Sequence, residues 1–209
     1  MQQKISSTLL EVRKAYRLLY NYQDRLLDLV SYIGGKYGFS YKGGYSKFSD
    51  VAPRNGGGHL DNWAWDWLNL YFYQFDFKPK AGEKLEPTIH FSVFVVNDTG
   101  YFDARDADDE RKTSKLDTTT FNSVEESKSK LIFVAGKDLG VVWGVDCDNP
   151  EFISQPSGEK TADDGGIMVF KHYSLERFEN EEDAISCLKD FERLCNKKGI
   201  EGFKIIESI

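Results

Sequence analysis

Aromatic side chains occupy alternate positions along residues 62–78. This stretch reads NWAWDWLNLYFYQFDFK, and seven of the eight odd positions from 63 to 77 are aromatic. They are Trp63, Trp65, Trp67, Tyr71, Tyr73, Phe75 and Phe77. A period of two is the side-chain repeat of a β-strand, so the pattern predicts one long strand with an aromatic face. A straight strand of this length would span roughly 50 Å, which predicts a bend or bulge near Asn69.

Two roles are open for this aromatic face. Rings bury large apolar areas, which favours a place in the core of a sheet. If part of the face is left open, it becomes a ligand cleft or a surface for a partner. We therefore count Trp63 and Trp65 among the candidate ligand-binding residues.

A long amphipathic helix is predicted before the aromatic stretch. Thr8 and Glu11 have the spacing of a capping box, and Gly34-Gly35 is expected to end the helix after Ile33. Nine positions step by alternating fours and threes, and all but one are apolar: Ile5, Leu9, Val12, Tyr16, Leu19, Gln23, Leu26, Val30 and Ile33. The seam is widened by Leu10, Tyr20 and Leu27. A widened seam favours packing across the chain's own sheet over a coiled-coil dimer, so a monomer is expected.

The rest of the chain predicts further strands and one more helix. The expected strands are a short one within 41–48, then 88–98, 131–135, 141–145, 167–175 and 203–206. Asn180 is expected to cap a helix whose buried stripe is Ala184, Leu188, Phe191 and Cys195, while 147–166 is interpreted as a long acidic loop. Residues 1–209 thus form a single α+β domain, in which the N-terminal and C-terminal helices cover a mainly antiparallel sheet of five to seven strands.

Charge and cysteine content exclude several classes of protein. The formal net charge of −7 argues against a protein that binds nucleic acid over its whole surface. The three cysteines have no C-x-x-C spacing, so neither a disulfide framework nor a zinc ribbon is expected. No signal peptide and no membrane-spanning run is found, which predicts a cytoplasmic protein without membrane contact.

The segment 36–59 is basic within this acidic chain. It carries a local charge of +3, and tyrosines and phenylalanines alternate with its basic residues. Basic groups beside stacking rings are typical of surfaces that hold single-stranded nucleic acid or a nucleotide. The candidate ligand-binding residues are therefore Lys42, Lys47, Arg54, His59, Trp63 and Trp65. The alternative is a flexible hairpin whose glycines only serve turns.

Few residues suggest catalysis. Asp76-Phe77-Lys78 has the D-x-K form of some metal-dependent nucleases, but Asp66 would lie about 33 Å from Asp76 along a straight strand. The acidic loop lacks the spacing of an EF-hand, and no nucleophile motif accompanies the histidines. No metal, cofactor or catalytic residue is therefore predicted.

The sequence thus favours a non-enzymatic binding protein, of the inhibitor or immunity-factor type, that engages a protein partner. The alternative is a metal-dependent enzyme or binder that acts on nucleic acid or nucleotides through residues 36–59. The acidic charge makes a nucleic-acid partner the weaker of the two expectations.

Overall fold

The computed structural model describes residues 2–47, 71–79, 88–104, 118–138, 150–162 and 165–206. Their elements, in chain order, are α1 (Gln2–Lys36), β1 (Phe39–Ser46), β2 (Phe72–Pro79), β3 (Ile89–Val96), α2 (Gly100–Asp103), β4 (Lys130–Lys137), α3 (Pro150–Ser154), β5 (Ser157–Thr161), β6 (Ile167–Ser174) and α4 (Glu181–Lys197). Six strands form one sheet in the order β1-β2-β3-β4-β6-β5, and every neighbouring pair is antiparallel. The predicted α+β class and the antiparallel sheet of five to seven strands are confirmed.

The sheet is apolar on both faces because its central strands alternate between two buried sets. On one face, Phe91, Val93 and Val95 of β3 pack with the buried residues of α4 and the C-terminal end of α1. On the other face, Phe94 and Val96 pack with a second cluster that includes α3. The first cluster centres on Phe91, whose ring contacts those of Tyr37, Phe39, Phe77, Phe133, Phe191 and Phe203.

Helix α4 forms as its sequence predicts. The Asn180 side chain accepts a hydrogen bond from the backbone N–H of Asp183 at 2.9 Å, and three acidic residues follow in the first turn. The predicted stripe of Ala184, Leu188, Phe191 and Cys195 is buried. After Lys197 the chain turns through Gly199 at φ +72°, a conformation that glycine adopts without strain.

Both predicted ends of the first helix are wrong. Helix α1 already runs from Gln2, so Thr8 and Glu11 lie inside it and do not cap it. It also continues through Gly34 and Gly35 to Lys36. The chain turns only at Gly38, whose φ of +76° lies in the left-handed region.

The aromatic stretch is described only in its last part. Strand β2 starts at Phe72, and residues 62–70 of the predicted strand, with the bend near Asn69, lie outside the described residues. Phe75 and Phe77 of the predicted aromatic face are core residues, as expected. Phe72 and Gln74 on the opposite face are buried as well, because β2 is an interior strand of the sheet.

Three other expectations change in the structure. The stretch 147–166 is not only a loop, since it contains α3 and the edge strand β5, which pairs with β6. Residues 203–206 form no strand; Phe203 fills the core and the Ile206 N–H donates to the Lys36 carbonyl at 2.8 Å. The predicted strand 141–145 lies outside the described residues, and β4 pairs with β3 and β6.

Candidate protein-binding surface

The N-terminal part of α1 extends beyond the sheet. At about 1.5 Å per residue, its 35 residues measure roughly 52 Å. The eight-residue strands of the sheet span only about 26 Å, and six strands side by side measure about 24 Å. A sheet of this size cannot cover the whole helix, and every side chain from residue 5 to residue 21 is exposed. We call residues Ile5–Tyr20 the stem.

An apolar stripe runs along the stem. It consists of Ile5 (56% exposed), Leu9 (50%), Val12 (42%), Tyr16 (70%) and Leu19 (40%). The same heptad seam continues into Leu26, Val30 and Ile33, which are at most 3% exposed. The prediction that the whole seam packs on the chain's own sheet is therefore wrong for its first half, because the sheet ends before the stem begins.

The junction between stem and sheet is fixed by a polar contact. The Tyr22 hydroxyl donates a short hydrogen bond to the Asn97 side chain, which follows β3. Burial raises the pKa of Tyr22 to about 12, so the hydroxyl keeps its proton at neutral pH. This contact anchors α1 where it leaves the sheet and therefore sets the direction of the stem.

The stem is basic whereas the rest of the chain is acidic. The stem, Ile5–Tyr20, carries Arg13, Lys14 and Arg17 against Glu11, a net +2. Subtracting +2 from the total of −7 leaves −9 for the remaining residues. Glu11 accepts a hydrogen bond from Lys14 at 2.8 Å within the helix. The stem therefore combines an apolar stripe with a positively charged flank.

Two of the sequence-predicted ligand residues lie at the edge strand β1, with Lys42 inside it and Lys47 directly after its end at Ser46. Lys42 is exposed, and the Nζ atom of Lys47 lies 5.9 Å from the ring centroid of Tyr45. Tyr45 is itself 64% exposed. The other predicted ligand residues, Arg54, His59, Trp63 and Trp65, lie outside the described residues. The structure thus places Lys42 on β1 and Lys47 one residue beyond the end of that strand.

Asp76 of the D-x-K tripeptide is held by two uncharged donors. Its Oδ1 atom accepts hydrogen bonds from Gln74 Nε2 and Ser92 Oγ, each at 2.6 Å. Asp66, the upstream acid considered with it, lies outside the described residues. Within the described ranges, no three His, Cys, Asp or Glu side chains come together as metal ligands. In the described part of the chain, the Asp76 carboxylate therefore acts as a hydrogen-bond acceptor inside the sheet.

His90 and His172 share a face of the sheet but do not meet. They lie opposite Gly136 and Ile132, four positions apart along β4, which is about 13 Å. His172 Nε2 donates to the Phe152 carbonyl at 2.7 Å, and Lys130 Nζ donates to the Ile153 carbonyl at 2.8 Å. Burial, with a smaller effect from Lys130, lowers the pKa of His172 to about 4 despite the bond to Phe152. His172 is therefore a neutral group that holds α3 on the sheet.

The described cysteines are structural. Cys187 and Cys195 are buried on α4 and carry free thiols. Burial raises the pKa of both thiols above the ordinary value, which keeps them protonated and unreactive. Cys147 lies outside the described residues.

An open groove of about 1220 Å³ lies between α4, the end of α1 and residues 204–206. Its lining mixes both signs of charge, with Lys36, Lys189, Arg193 and Lys204 against Glu181, Glu182 and Glu192. Lys36 Nζ and Glu181 Oε1 already pair across it at 3.5 Å. The groove therefore favours neither anionic nor cationic ligands. The stem differs from it, because its stripe is apolar along its length.

The described fold defines an α+β protein with one six-stranded antiparallel sheet and an N-terminal helix that projects past it. The chain belongs to the PM0109 family, which it matches over residues 2–202. No curated protein and no solved structure is significantly similar to the chain. Among the described helices, none has the length and apolar character needed to cross a membrane.

Sequence reasoning did not place the stem among the candidate site residues. The signal was present, because a 3.5-residue repeat is the spacing of paired helices. The sequence does not give the size of the sheet, and this size determines how much of the seam the sheet covers.

Proposed function

We propose that this protein is a non-enzymatic binding protein that engages a protein partner, in the manner of an inhibitor or immunity factor. One observation carries the proposal: the stripe of the stem is 40–70% exposed, whereas its continuation in the same helix is buried. An apolar face of this length on a monomer marks an interaction surface, because leaving it in water costs free energy that a partner recovers.

The form of the stripe suits a protein partner. Its side chains recur at i, i+4 and i+7, which is the spacing by which amphipathic helices fill a groove or pair with another helix. The basic flank adds a preference for an acidic partner surface. An inhibitor or immunity factor acts by covering its target, so it needs a rigid projecting surface and no reactive group. We further propose that the chain acts as one domain in the cytoplasm and uses no cofactor, as its composition predicts.

Capture from the native host tests this proposal. Three baits are compared, and each is the full chain. They are the wild type, a double variant with Leu9→Glu and Tyr16→Glu, and a single variant with Leu18→Glu. Leu18 is a matched control because it is 70% exposed on the same helix but lies outside the stripe. We expect the wild type and Leu18→Glu to retain the same protein and the double variant to lose it. The captured protein, once purified, should bind with the same ranking in titration calorimetry. Equal capture and affinity for all three baits would contradict the proposal.

A second candidate function, binding of nucleic acid or nucleotides through residues 36–59, has one supporting observation. Tyr41 and Tyr45 of β1 are more than half exposed, and Lys47 lies over Tyr45. Rings and basic groups so placed can stack bases and contact phosphates. Replacement of Lys42, Lys47 and Arg54 by glutamine tests it. Micromolar binding of a short single-stranded oligonucleotide at physiological salt, lost in the triple variant, would favour this candidate. We expect only weak binding, because the net charge of −7 repels a polyanion.

A further inference from the structure

We propose that the partner of the stem is a second copy of this chain, and that the two stems pair antiparallel. This inference rests on the proposed function, since it takes the stem to be the binding surface and names what covers it. It replaces the monomer expected from the sequence, because that expectation required the whole seam to pack within one chain.

The spacing of the stripe is the first argument. Ile5, Leu9, Val12, Tyr16 and Leu19 step by four and three residues in turn, which is the 3.5-residue repeat of a two-helix coiled coil. A groove-binding helix needs only three or four anchors, whereas this repeat has five on the stem and continues, past the polar Gln23, into the buried half of α1. A repeat of this kind favours another helix as the occupant of the stem.

The orientation follows from what covers the other half of the seam. Leu26, Val30 and Ile33 pack on the chain's own sheet, so a partner helix has no room beside them. In a parallel pair, Leu26, Val30 and Ile33 of the second copy would lie beside Leu26, Val30 and Ile33 of the first. The sheet already covers the seam there and leaves no space for them. In an antiparallel pair, the partner's helix begins near the level where the sheet ends, so the exposed stripes cover each other.

Area and charge are both sufficient for such a pair. Covering the five stripe residues and Tyr20 in two copies would remove on the order of 1,300 Å² from water, within the about 1,200–2,000 Å² of stable interfaces. The antiparallel arrangement also points each stem, at +2, toward the rest of the other chain, which carries −9. Association is therefore favoured by charge as well as by the apolar stripe.

The mass of the full chain in solution tests the pairing. We expect the wild type to sediment at twice the 23.9 kDa of one chain at about 100 µM, the range in which weak self-association is detected. Val12→Glu should raise the dissociation constant at least about tenfold, because the pair would bury its charge. It should keep the wild-type circular dichroism, since Val12 is 42% exposed and belongs to neither core cluster of the described residues. Leu18→Glu should remain a dimer. A wild type that stays monomeric, or a Leu18→Glu variant that dissociates like Val12→Glu, would overturn the proposal.

Disulfide trapping tests the orientation in a Cys147→Ser background. In the antiparallel pair, the two Ile5 positions lie at least about 15 Å apart along the axis, too far for a disulfide. Ile5→Cys should therefore not cross-link to itself, but it should cross-link to one of Tyr16→Cys, Leu19→Cys or Gln23→Cys. Efficient self-cross-linking of Ile5→Cys would overturn the antiparallel pairing.

Failure of this inference is distinguishable from failure of the proposed function. A monomeric wild type that still captures a host protein through the stripe rejects the self-pairing and keeps the binding function. Monomeric attachment to anionic phospholipid vesicles, lost in Val12→Glu, would reject both in favour of a membrane surface. A dimer that Val12→Glu dissociates supports the self-pairing and the part of the proposed function that makes the stem a protein-binding surface.

Discussion

Gly34 lies against the ring of Phe77 so closely that a Cβ atom on Gly34 would stand 2.2 Å from Phe77 Cε1. The glycine therefore lets α1 approach β2 at close range, just where the helix covers the edge of the core. Gly34 therefore serves close packing in the fold and does not end the helix, since the helix continues past it to Lys36.

Substitution of Gly34 by alanine should destabilise the fold. The added methyl group must displace the Phe77 ring, and overpacking of this kind costs about 1–3 kcal/mol. Gly35→Ala is the control one residue away, because no atom lies within 4 Å of its Cβ position. It should stabilise by about 0.5–1 kcal/mol, since alanine favours the helix. Denaturant unfolding measures both, and equal midpoints for the two variants would contradict this account of the contact.

The elements that the sequence predicts well are those whose signals are local. Helix α4 carries its own cap at Asn180 and its own buried stripe, and β3, β4 and β6 are runs of branched and aromatic residues. Strand β5 reads Ser-Gly-Glu-Lys-Thr and has no apolar alternation, so its position depends on the ladder with β6. A strand placed only by its backbone pairing with a neighbour leaves no hydrophobic pattern in the sequence.

The candidate site was harder to predict for a related reason. Periodicity shows that one side of α1 is apolar from Ile5 to Ile33, but it does not show what covers that side. The answer depends on where the sheet ends, and this is set by tertiary packing around Leu26 and Ile33. Arg54, His59, Trp63 and Trp65, which the sequence also suggests, lie outside the described residues.

Leucine-to-alanine substitutions along α1 should have unequal costs. Leu26 is 3% exposed within the core, so Leu26→Ala should cost about 2–5 kcal/mol through lost contacts and a cavity. Leu9 is 50% exposed, so Leu9→Ala should change the stability of the monomer by no more than about 0.5 kcal/mol. Denaturant unfolding in dilute solution, where association does not contribute, compares the two. Similar losses for both variants would place the stem in the core of the domain.

Acid should weaken the fold through His172 from about pH 6.5 downward, before most carboxylates titrate. The pKa of this buried histidine is about 4 in the folded chain and about 6.5 when unfolded. Between these values the unfolded chain binds a proton that the folded chain does not, so stability falls as pH drops from 6.5 to 4. The loss from this group should reach up to about 3 kcal/mol, because each pKa unit corresponds to 1.36 kcal/mol.

Two variants separate this effect from other titrations. His172→Gln should flatten the stability curve between pH 6.5 and 4, measured by denaturant unfolding at each pH. His90→Gln should change it less, because burial and Lys42 lower the pKa of His90 while Asp76 opposes them. Parallel curves for the wild type and His172→Gln across this range would show that His172 does not lose its proton on folding.

Amide hydrogen exchange along α1 at two protein concentrations tests most directly whether a second copy covers the stem. In dilute solution, amides of residues 6–20 should exchange faster than those of residues 26–33, because a helix without tertiary contacts opens readily. Raising the concentration from about 1 µM to about 100 µM should slow exchange in residues 6–20 and leave residues 26–33 unchanged. Equal exchange rates for residues 6–20 at both concentrations would contradict the account.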